Sequence, residues 1–287
     1  MDLNISFADF ASFREWEEND DKALRENYQN KILEKWRESN YGEMKIWGWC
    51  DVCARETHFL LDGLYSDQQN PLRNPNWRER LVCLNCNLNA RMRATFSILP
   101  TLLAQESRMW INEQTTTFYQ CALKRYPNLI GSEYLGEGFK SGDVMENGIR
   151  HEDCTATSHE NSSLDGVLSF DVMEHIPNYR AAISETFRVL RNGGTFFWSA
   201  PFDKNVFETS VRSNILEDGA IQHNLPPIWH GDPMNPSEGI LCYQTFGWDI
   251  LDLLRSSGFK EAKVVFFWSK SRGALGNPLP FFIAKKK

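Results

Sequence analysis

The stretch Leu164-Asp165-Gly166-Val167-Leu168-Ser169-Phe170-Asp171-Val172-Met173-Glu174-His175-Ile176-Pro177 decides how the rest of the chain is read. Val167, Leu168 and Phe170 make a near-continuous apolar run, the pattern of a strand buried on both faces of a parallel sheet. A helical pattern follows and ends Phe187-Arg188-Val189-Leu190-Arg191-Asn192-Gly193-Gly194, after which Thr195-Phe196-Phe197-Trp198-Ser199 forms a second apolar run. Gly193 and Gly194 are expected to stop the helix by supplying positive φ at its C-cap. The order strand, loop, helix, glycine stop, strand is that of a βαβ unit. Open α/β sheets bind ligands outside the carboxyl ends of their strands, so Ser169 to Met173, with Phe170 and Asp171 at the centre, should open into a crevice.

Outward from this unit, the chain alternates short apolar runs with helical patterns from about Arg108 onward, which predicts a mostly parallel sheet. Strands are expected at Arg108 to Asn112, Leu129 to Glu133, Gly148 to His151, Gly166 to Phe170 and Thr195 to Ser199. The last apolar runs, Lys263 to Trp268 and Pro280 to Ala284, leave no room for a helix between them and should form an antiparallel hairpin at one end of the sheet. Upstream, Phe7, Phe10, Phe13 and Trp16 recur every three residues, and Leu24, Tyr28, Ile32 and Trp36 every four, which predicts helices through Phe7 to Ser39. Between Gly42 and Arg93 the pattern breaks into short apolar pieces, Pro and Asn turns and paired cysteines, a small loop-rich unit. The expected organisation is a helical segment over 1–41, a cysteine module with a linking helix over 42–105, and an α/β domain over 106–287.

The segment from Leu164 to Pro201 resembles the central segment of the class I SAM-dependent methyltransferases, in which a buried strand leads to Glu-His-Ile/Val-Pro, an Arg-Val-Leu helix and a Gly-Gly turn. The resemblance implies a Rossmann-like, seven-stranded sheet and S-adenosylmethionine as cofactor. Ile130-Gly131-Ser132-Glu133-Tyr134-Leu135 looks like the family's second strand, which makes Glu133, with Tyr134 beside it, the candidate for the ribose hydroxyls. His151-Glu152-Asp153-Cys154-Thr155 is similar to the place where an acid meets the adenine amino group, which makes Asp153 and its neighbour Cys154 the candidates there. Carboxylates suit both tasks because they only accept hydrogen bonds, while hydroxyls and an exocyclic amine donate. The family's Gly-x-Gly-x-Gly loop is missing, since Met109-Trp110-Ile111-Asn112-Glu113-Gln114-Thr115-Thr116-Thr117 has no glycine. A similar glycine-free loop with a Ser-Glu-Tyr second strand marks a methyltransferase type 11-like subgroup with an upstream four-cysteine zinc module. In it Glu113 and Thr115 to Thr117 would hold the amino-acid end of the cofactor through side chains and the next helix N-terminus.

Cys50-Asp51-Val52-Cys53 and Cys83-Leu84-Asn85-Cys86 are two C-x-x-C knuckles whose four thiolates suit tetrahedral zinc. A closed site of four cysteines has no open position, so the zinc would be structural. Arg91 and Arg93, just beyond, are read as pairing with acids of the same chain.

The long connection from Pro201 to Tyr243 is where this fold builds a cover over its substrate. Within it His230, near Asp232, is a candidate general base, and His175 beside Glu174 is a second. The expected activity is methyl transfer from SAM to a small molecule. Two alternatives remain open: cleavage or cyclisation of SAM itself, releasing methylthioadenosine, and a non-catalytic zinc- and SAM-binding assembly protein.

Composition bounds the partners. The 287 residues hold 31 Lys and Arg against 38 Asp and Glu, net charge −7, and such a field does not favour a polyphosphate, so no nucleic-acid partner is expected. No stretch approaches the roughly eighteen apolar residues that span a bilayer, and the start lacks a secretory pattern, so a cytoplasmic protein without a membrane partner is expected. The Phe7 to Trp16 stripe suits packing, including homodimer contact, or a lid over the pocket.

Overall fold

The computed structural model describes residues 2–66, 74–232, 234–235 and 237–287. The chain divides into two compact units, one comprising Met1–Ser6, Ala11–Leu102 and Val265–Pro280, the other Phe7–Phe10, Leu103–Val264 and Phe281–Lys287. In chain order the elements begin with β1 (Asp2–Phe7), α1 (Phe10–Asn19), α2 (Ala23–Glu38), β2 (Met44–Cys50), β3 (Arg55–Leu61), β4 (Val82–Cys83) and α3 (Ala90–Ile98). There follow β5 (Met109–Ile111), α4 (Thr117–Arg125), β6 (Leu129–Gly131), β7 (Leu164–Phe170), α5 (Tyr179–Val189) and β8 (Leu190–Ser199). Six short strands come next, β9 (Ser210–Val211), β10 (Ser213–Ile215), β11 (Ile221–His223), β12 (Trp229–His230), β13 (Ile240–Leu241) and β14 (Gln244–Thr245), then α6 (Asp249–Ser256), β15 (Glu261–Ser269) and β16 (Ala274–Lys285).

Seven strands form the main sheet, in the order β1-β15-β16-β8-β7-β5-β6. Parallel pairings join β6 to β5, β5 to β7 and β7 to β8, while β16 runs antiparallel to β8, with Phe282 opposite Trp198. This is the mixed, Rossmann-like α/β sheet expected of the class I methyltransferases. Val167, Leu168 and Phe170 of β7 are all buried, as a central strand covered on both faces requires. Aromatic rings fill the space beside it, Trp198 stacking on Phe282 at 4.2 Å between centroids. Gly131 leaves α4 close against β6, since a Cβ there would lie 2.6 Å from the Tyr119 ring.

Four local expectations are corrected. The stretch Gly148 to His151 is not a strand, and its place beside β6 is held by one parallel bridge, Glu133 to His151. The seventh strand is instead β1, from a region read as helical: Leu3, Ile5 and Phe7 alternate with the exposed Asp2, Asn4 and Ser6, the period of a strand. The terminal hairpin is therefore not the sheet's edge, because β1 lies outside β15. Finally, Gly193 and Gly194 do not cap α5, which ends at Val189, and Leu190 already has extended backbone. The glycines lie in β8, where Gly193 takes φ +80° and the backbone exchanges hydrogen bonds with Lys286.

In the first unit, Ile32, Leu33 and Trp36 of α2 share one core with Ile46, Phe59, Leu61, Leu81, Trp268 and Leu275. Phe13 of α1 is buried and stacks on Phe266 at 5.1 Å, so it serves packing. In the second unit Phe10 meets Trp248 at 5.7 Å.

Gly247, where the segment 201–246 returns to α6, sits against backbone. A Cβ there would lie 2.5 Å from the Phe207 carbonyl oxygen and 2.6 Å from the Glu208 carbonyl, atoms that cannot swing aside. Gly247→Ala is expected to lower stability by about 1–3 kcal/mol in denaturant unfolding, the usual effect of overpacking.

Candidate functional site

The carboxyl ends of β5, β6 and β7 converge, as the parallel register dictates, and the sequence-predicted cofactor residues gather there. Glu133 follows β6, and its Oε1 accepts three hydrogen bonds from the loop after β5: Gln114 N at 2.7 Å, Thr115 N at 2.8 Å and Thr115 Oγ1 at 2.8 Å. The glycine-free loop is thus fastened by the carboxylate expected to meet ribose, and all three of these bonds fall on one of its two oxygens. Glu113 in the same loop is buried. Thr116 caps α4, its Oγ1 accepting from Tyr119 N at 3.1 Å.

Asp153 and Cys154 follow the Glu133–His151 bridge. Asp153 Oδ1 accepts from Thr155 N and Thr155 Oγ1, both at 2.7 Å. Burial pushes the Cys154 thiol up to about 12, so it stays protonated. Tyr134 is largely exposed, its ring 5.4 Å from that of His151. Phe170 is buried and packs edge-on against Phe118 and Phe197. Asp171 takes φ +57°, uncommon for a residue with a side chain, and its Oδ1 accepts from Ser199 Oγ at 2.9 Å.

Asn112, which the sequence reading left unassigned, joins these groups from the end of β5. Its Nδ2 donates to Ser169 Oγ at 3.1 Å and lies 3.4 Å from Cys154 Sγ, while its buried Oδ1 has no hydrogen-bond partner among the described residues. A buried amide oxygen without a donor is costly and suits a ligand that brings one. Carboxylates after β6 and after the Glu133–His151 bridge, together with this orphan acceptor after β5, fit a nucleoside that presents hydroxyl and amino donors. Its place directly after the apolar strand β5 was the signal for Asn112.

Both histidines singled out as bases belong to a second cluster. Glu174 and His175 lie in the turn 173–175 after β7, His230 is on β12 and Cys242 follows β13. Glu174 is fully buried, its Oε1 3.6 Å from His175 Nε2 and 3.4 Å from His230 Nδ1. The Cys242 sulfur and one nitrogen of each imidazole lie within 4.8 Å of one another. The neighbouring Cys242 and Glu174 push His230 up to about 10 against the effect of burial. Burial depresses His175, but Cys242, Glu174 and the Leu241 carbonyl outweigh it and the net direction is upward. Burial likewise raises the Cys242 thiol, and the two imidazoles more than reverse this. Without a metal, these neighbours favour the charged form of both imidazoles.

In the first unit the four knuckle cysteines come together on the sheet β2-β3-β4. Cys50 Sγ lies 3.8 Å from Cys86 Sγ, and Cys53 Sγ 3.8 Å from Cys83 Sγ. Tetrahedral zinc with bonds of about 2.3 Å sets its sulfurs about 3.8 Å apart, so the set fits that ion. Burial and the charge of Cys50 and Cys83 push the Cys53 thiol up to about 12, because crowded thiolates repel until a cation joins them. Arg91 pairs with Glu79 at 3.3 Å. Arg93 departs from the expected acid pairing: it stacks over Phe59, 3.6 Å from the ring centroid, and donates to the carbonyls of Leu81, Arg272 and Gly273.

The family model described as a methyltransferase domain matches residues 132–198, from the residue before Glu133 to the penultimate residue of β8. This match, together with the α/β sheet that carries it, supports a SAM-dependent methyltransferase. Among curated proteins none matches the sequence. Similar solved structures include a SAM-dependent methyltransferase from Thermotoga maritima, described as a possible histamine N-methyltransferase, at 19% identity and TM-score 0.39 over 67% of this chain and 87% of that one. A SAM-dependent methyltransferase from Mesorhizobium loti aligns at 15% identity and TM-score 0.40 over 67% and 98%. The 1,6-didemethyltoxoflavin N1-methyltransferase of Burkholderia thailandensis aligns at 16% identity and TM-score 0.39 over 68% and 78%. No helix among the described residues is long and apolar enough to cross a membrane.

Glu133 of the methyltransferase domain is expected to order the loop it fastens. In Glu133→Ala the amides of Gln114 and Thr115 lose their acceptor, and hydrogen exchange there should speed up by about tenfold, the equivalent of one charge-assisted hydrogen bond.

Proposed function

We propose that the protein transfers the methyl group of SAM to a small-molecule acceptor, with the cofactor at the carboxyl ends of β5, β6 and β7. The observation that carries this reading is the methyltransferase-domain match of residues 132–198, a span that includes Glu133, Asp153, Phe170 and Asp171. SAM, when bound, supplies a methyl group on a sulfonium, whose sulfur would leave as a neutral thioether without acid assistance. Glu133 binds the ribose hydroxyls through its carboxylate while keeping the loop 112–116 in place. Asp153 and the backbone of Cys154 receive the adenine edge, and Asn112 Oδ1 accepts from the ligand's polar rim. Glu113 and Thr115 hold the amino-acid end where a glycine loop would otherwise approach. Phe170 forms an apolar floor, and Ser199 orients Asp171 at the crevice edge. The segment 201–246 covers the acceptor and excludes water, so that orientation and desolvation supply most of the rate. Structural zinc on Cys50, Cys53, Cys83 and Cys86 completes the first unit.

The nucleoside product tests this. Incubation with SAM and a cell extract is expected to release S-adenosylhomocysteine, detected by mass analysis. Methylthioadenosine formed from SAM alone would move the reading to cleavage of the cofactor, which the glycine-free loop favours as the second possibility. Absence of SAM binding in calorimetry would instead leave an assembly role. In Glu133→Ala the SAM dissociation constant should rise roughly 10- to 100-fold, the worth of hydrogen bonds to a charged group.

Zinc is tested separately. Cys83→Ser is expected to lower the zinc content by about one equivalent and to destabilise the first unit by at least about 3 kcal/mol, read by metal analysis and thermal melting.

A further inference from the structure

The Glu174 cluster lies outside the cofactor crevice, and its geometry suits neither hydrogen bonding nor ordinary packing. Glu174 is fully buried, and neither oxygen of its carboxylate has a hydrogen-bond partner among the described residues. Its nearest cationic groups are the two imidazoles, at 3.4 Å and 3.6 Å. Those separations are long for charge-assisted hydrogen bonds, which run about 2.7–2.9 Å. They match instead the spacing of donor atoms around one small cation: nitrogen and oxygen each about 2.0–2.2 Å from a tetrahedral metal lie about 3.3–3.6 Å from one another.

The surroundings support that reading. His175 Nδ1 sits 2.8 Å from the Leu241 carbonyl, which fixes this nitrogen as the protonated one and leaves Nε2 with its lone pair toward Glu174. Metal-bound imidazoles commonly have their other nitrogen fixed in this way. The two rings stand nearly perpendicular, at 85°, with centroids 5.1 Å apart. Cys242 is buried, and its sulfur, one nitrogen of His175 and one of His230 all lie within 4.8 Å of one another, a set that does not include the Glu174 carboxylate. The donors arrive from places far apart in sequence, yet the backbone joins them firmly. Tyr243 N donates to Glu174 O at 2.7 Å, Cys242 N to Ile228 O at 2.9 Å, and Gln244 Nε2 to Met173 O at 2.6 Å.

We infer that His175, His230 and Cys242 form a second metal site, taking a divalent ion of zinc's type through two imidazoles and one thiolate, with the buried Glu174 carboxylate beside the imidazoles. The thiolate and the neighbouring carboxylate balance the ion's charge, and sulfur with imidazole selects zinc over magnesium or calcium. With three protein donors from separate segments, the ion acts as a clamp. It fastens β12 and β13, and with them the substrate cover, to the turn that follows the central strand. His175 and His230 are then positioning residues.

The test is metal content, and it does not depend on methyl transfer. The full chain, loaded with Zn²⁺ and freed of excess, is compared with H230A and C242S by mass spectrometric metal analysis, the four-cysteine site serving as internal reference. The parent is expected to hold two equivalents and each variant one. The His230 side chain is 35% exposed, so H230A tests the site even where C242S fails to fold. Loading with Co²⁺ gives a second readout, since both C242S and H230A should lose the second site's share of the thiolate-to-cobalt and visible absorption while the bands of the four-cysteine site stay as they are. Equal metal content in parent and H230A, with unchanged cobalt spectra, would overturn the inference.

Discussion

The structure depends on one constraint, that β7 be covered on both faces and paired on both edges. Its residues from Gly166 to Phe170 are buried, and its parallel partners β5 and β8 supply hydrogen bonds along both sides. A strand so enclosed ends abruptly at the point where the enclosure stops, at Asp171, whose left-handed backbone turns the chain out of the sheet. Everything chemical hangs from that turn. On one side lie Asn112 and Glu133, just past the ends of β5 and β6, and Asp153, just past the bridge from Glu133 to His151. On the other lie Glu174 and His175, which engage the cover segment. Because the turn is anchored by Ser199 and by Gln244, its geometry is set by the sheet and by the cover together.

Much of this was legible in the sequence. The run Val167 to Phe170 identified the central strand because doubly buried strands carry no polar alternation to confuse the pattern. Glu133 and Asp153 were singled out only because their segments resemble those of the methyltransferase family. The cysteine knuckles announced themselves by spacing, since few other uses of two C-x-x-C pairs exist. What escaped detection did so for physical reasons. Strand β1 has only three alternating apolar residues and leads into a strong helical stripe. The Gly148 to His151 segment contains strand-like residues but is held by side chains: His151 Nδ1 accepts from Leu135 N, and Arg150 pairs with Glu152. Gly193 and Gly194 looked like a helix stop, yet the chain needs them four residues past Val189, where the backbone bends within a strand.

The second cluster was invisible for a different reason. Cys242 carries no motif in the sequence, and His230 reads as a candidate base in a long connection, because Glu174 and His175 lie more than fifty positions upstream. Only the antiparallel pairing of β12 with β13, together with the backbone bond from Tyr243 to Glu174, brings them together. Sequence spacing reports chemistry when the donors share a knuckle, as in the first unit. It is silent when the fold itself supplies the spacing.

The place of β1 has a kinetic consequence. Among the strands of the main sheet it is the first to be synthesised, and its sheet neighbour β15 is the last but one, tied to it by the Ser269 hydroxyl donating to Asp2 at 2.6 Å. Contacts between segments so far apart in a chain form slowly, because the whole intervening loop must be closed before they are rewarded. During synthesis β1 therefore waits, unpaired, while every other strand but β15 and β16 is made. An interval of this kind is when strand edges are most prone to pair with the wrong chain. The polar alternation of Asp2, Asn4 and Ser6 along the waiting strand keeps it in solution until its partner arrives.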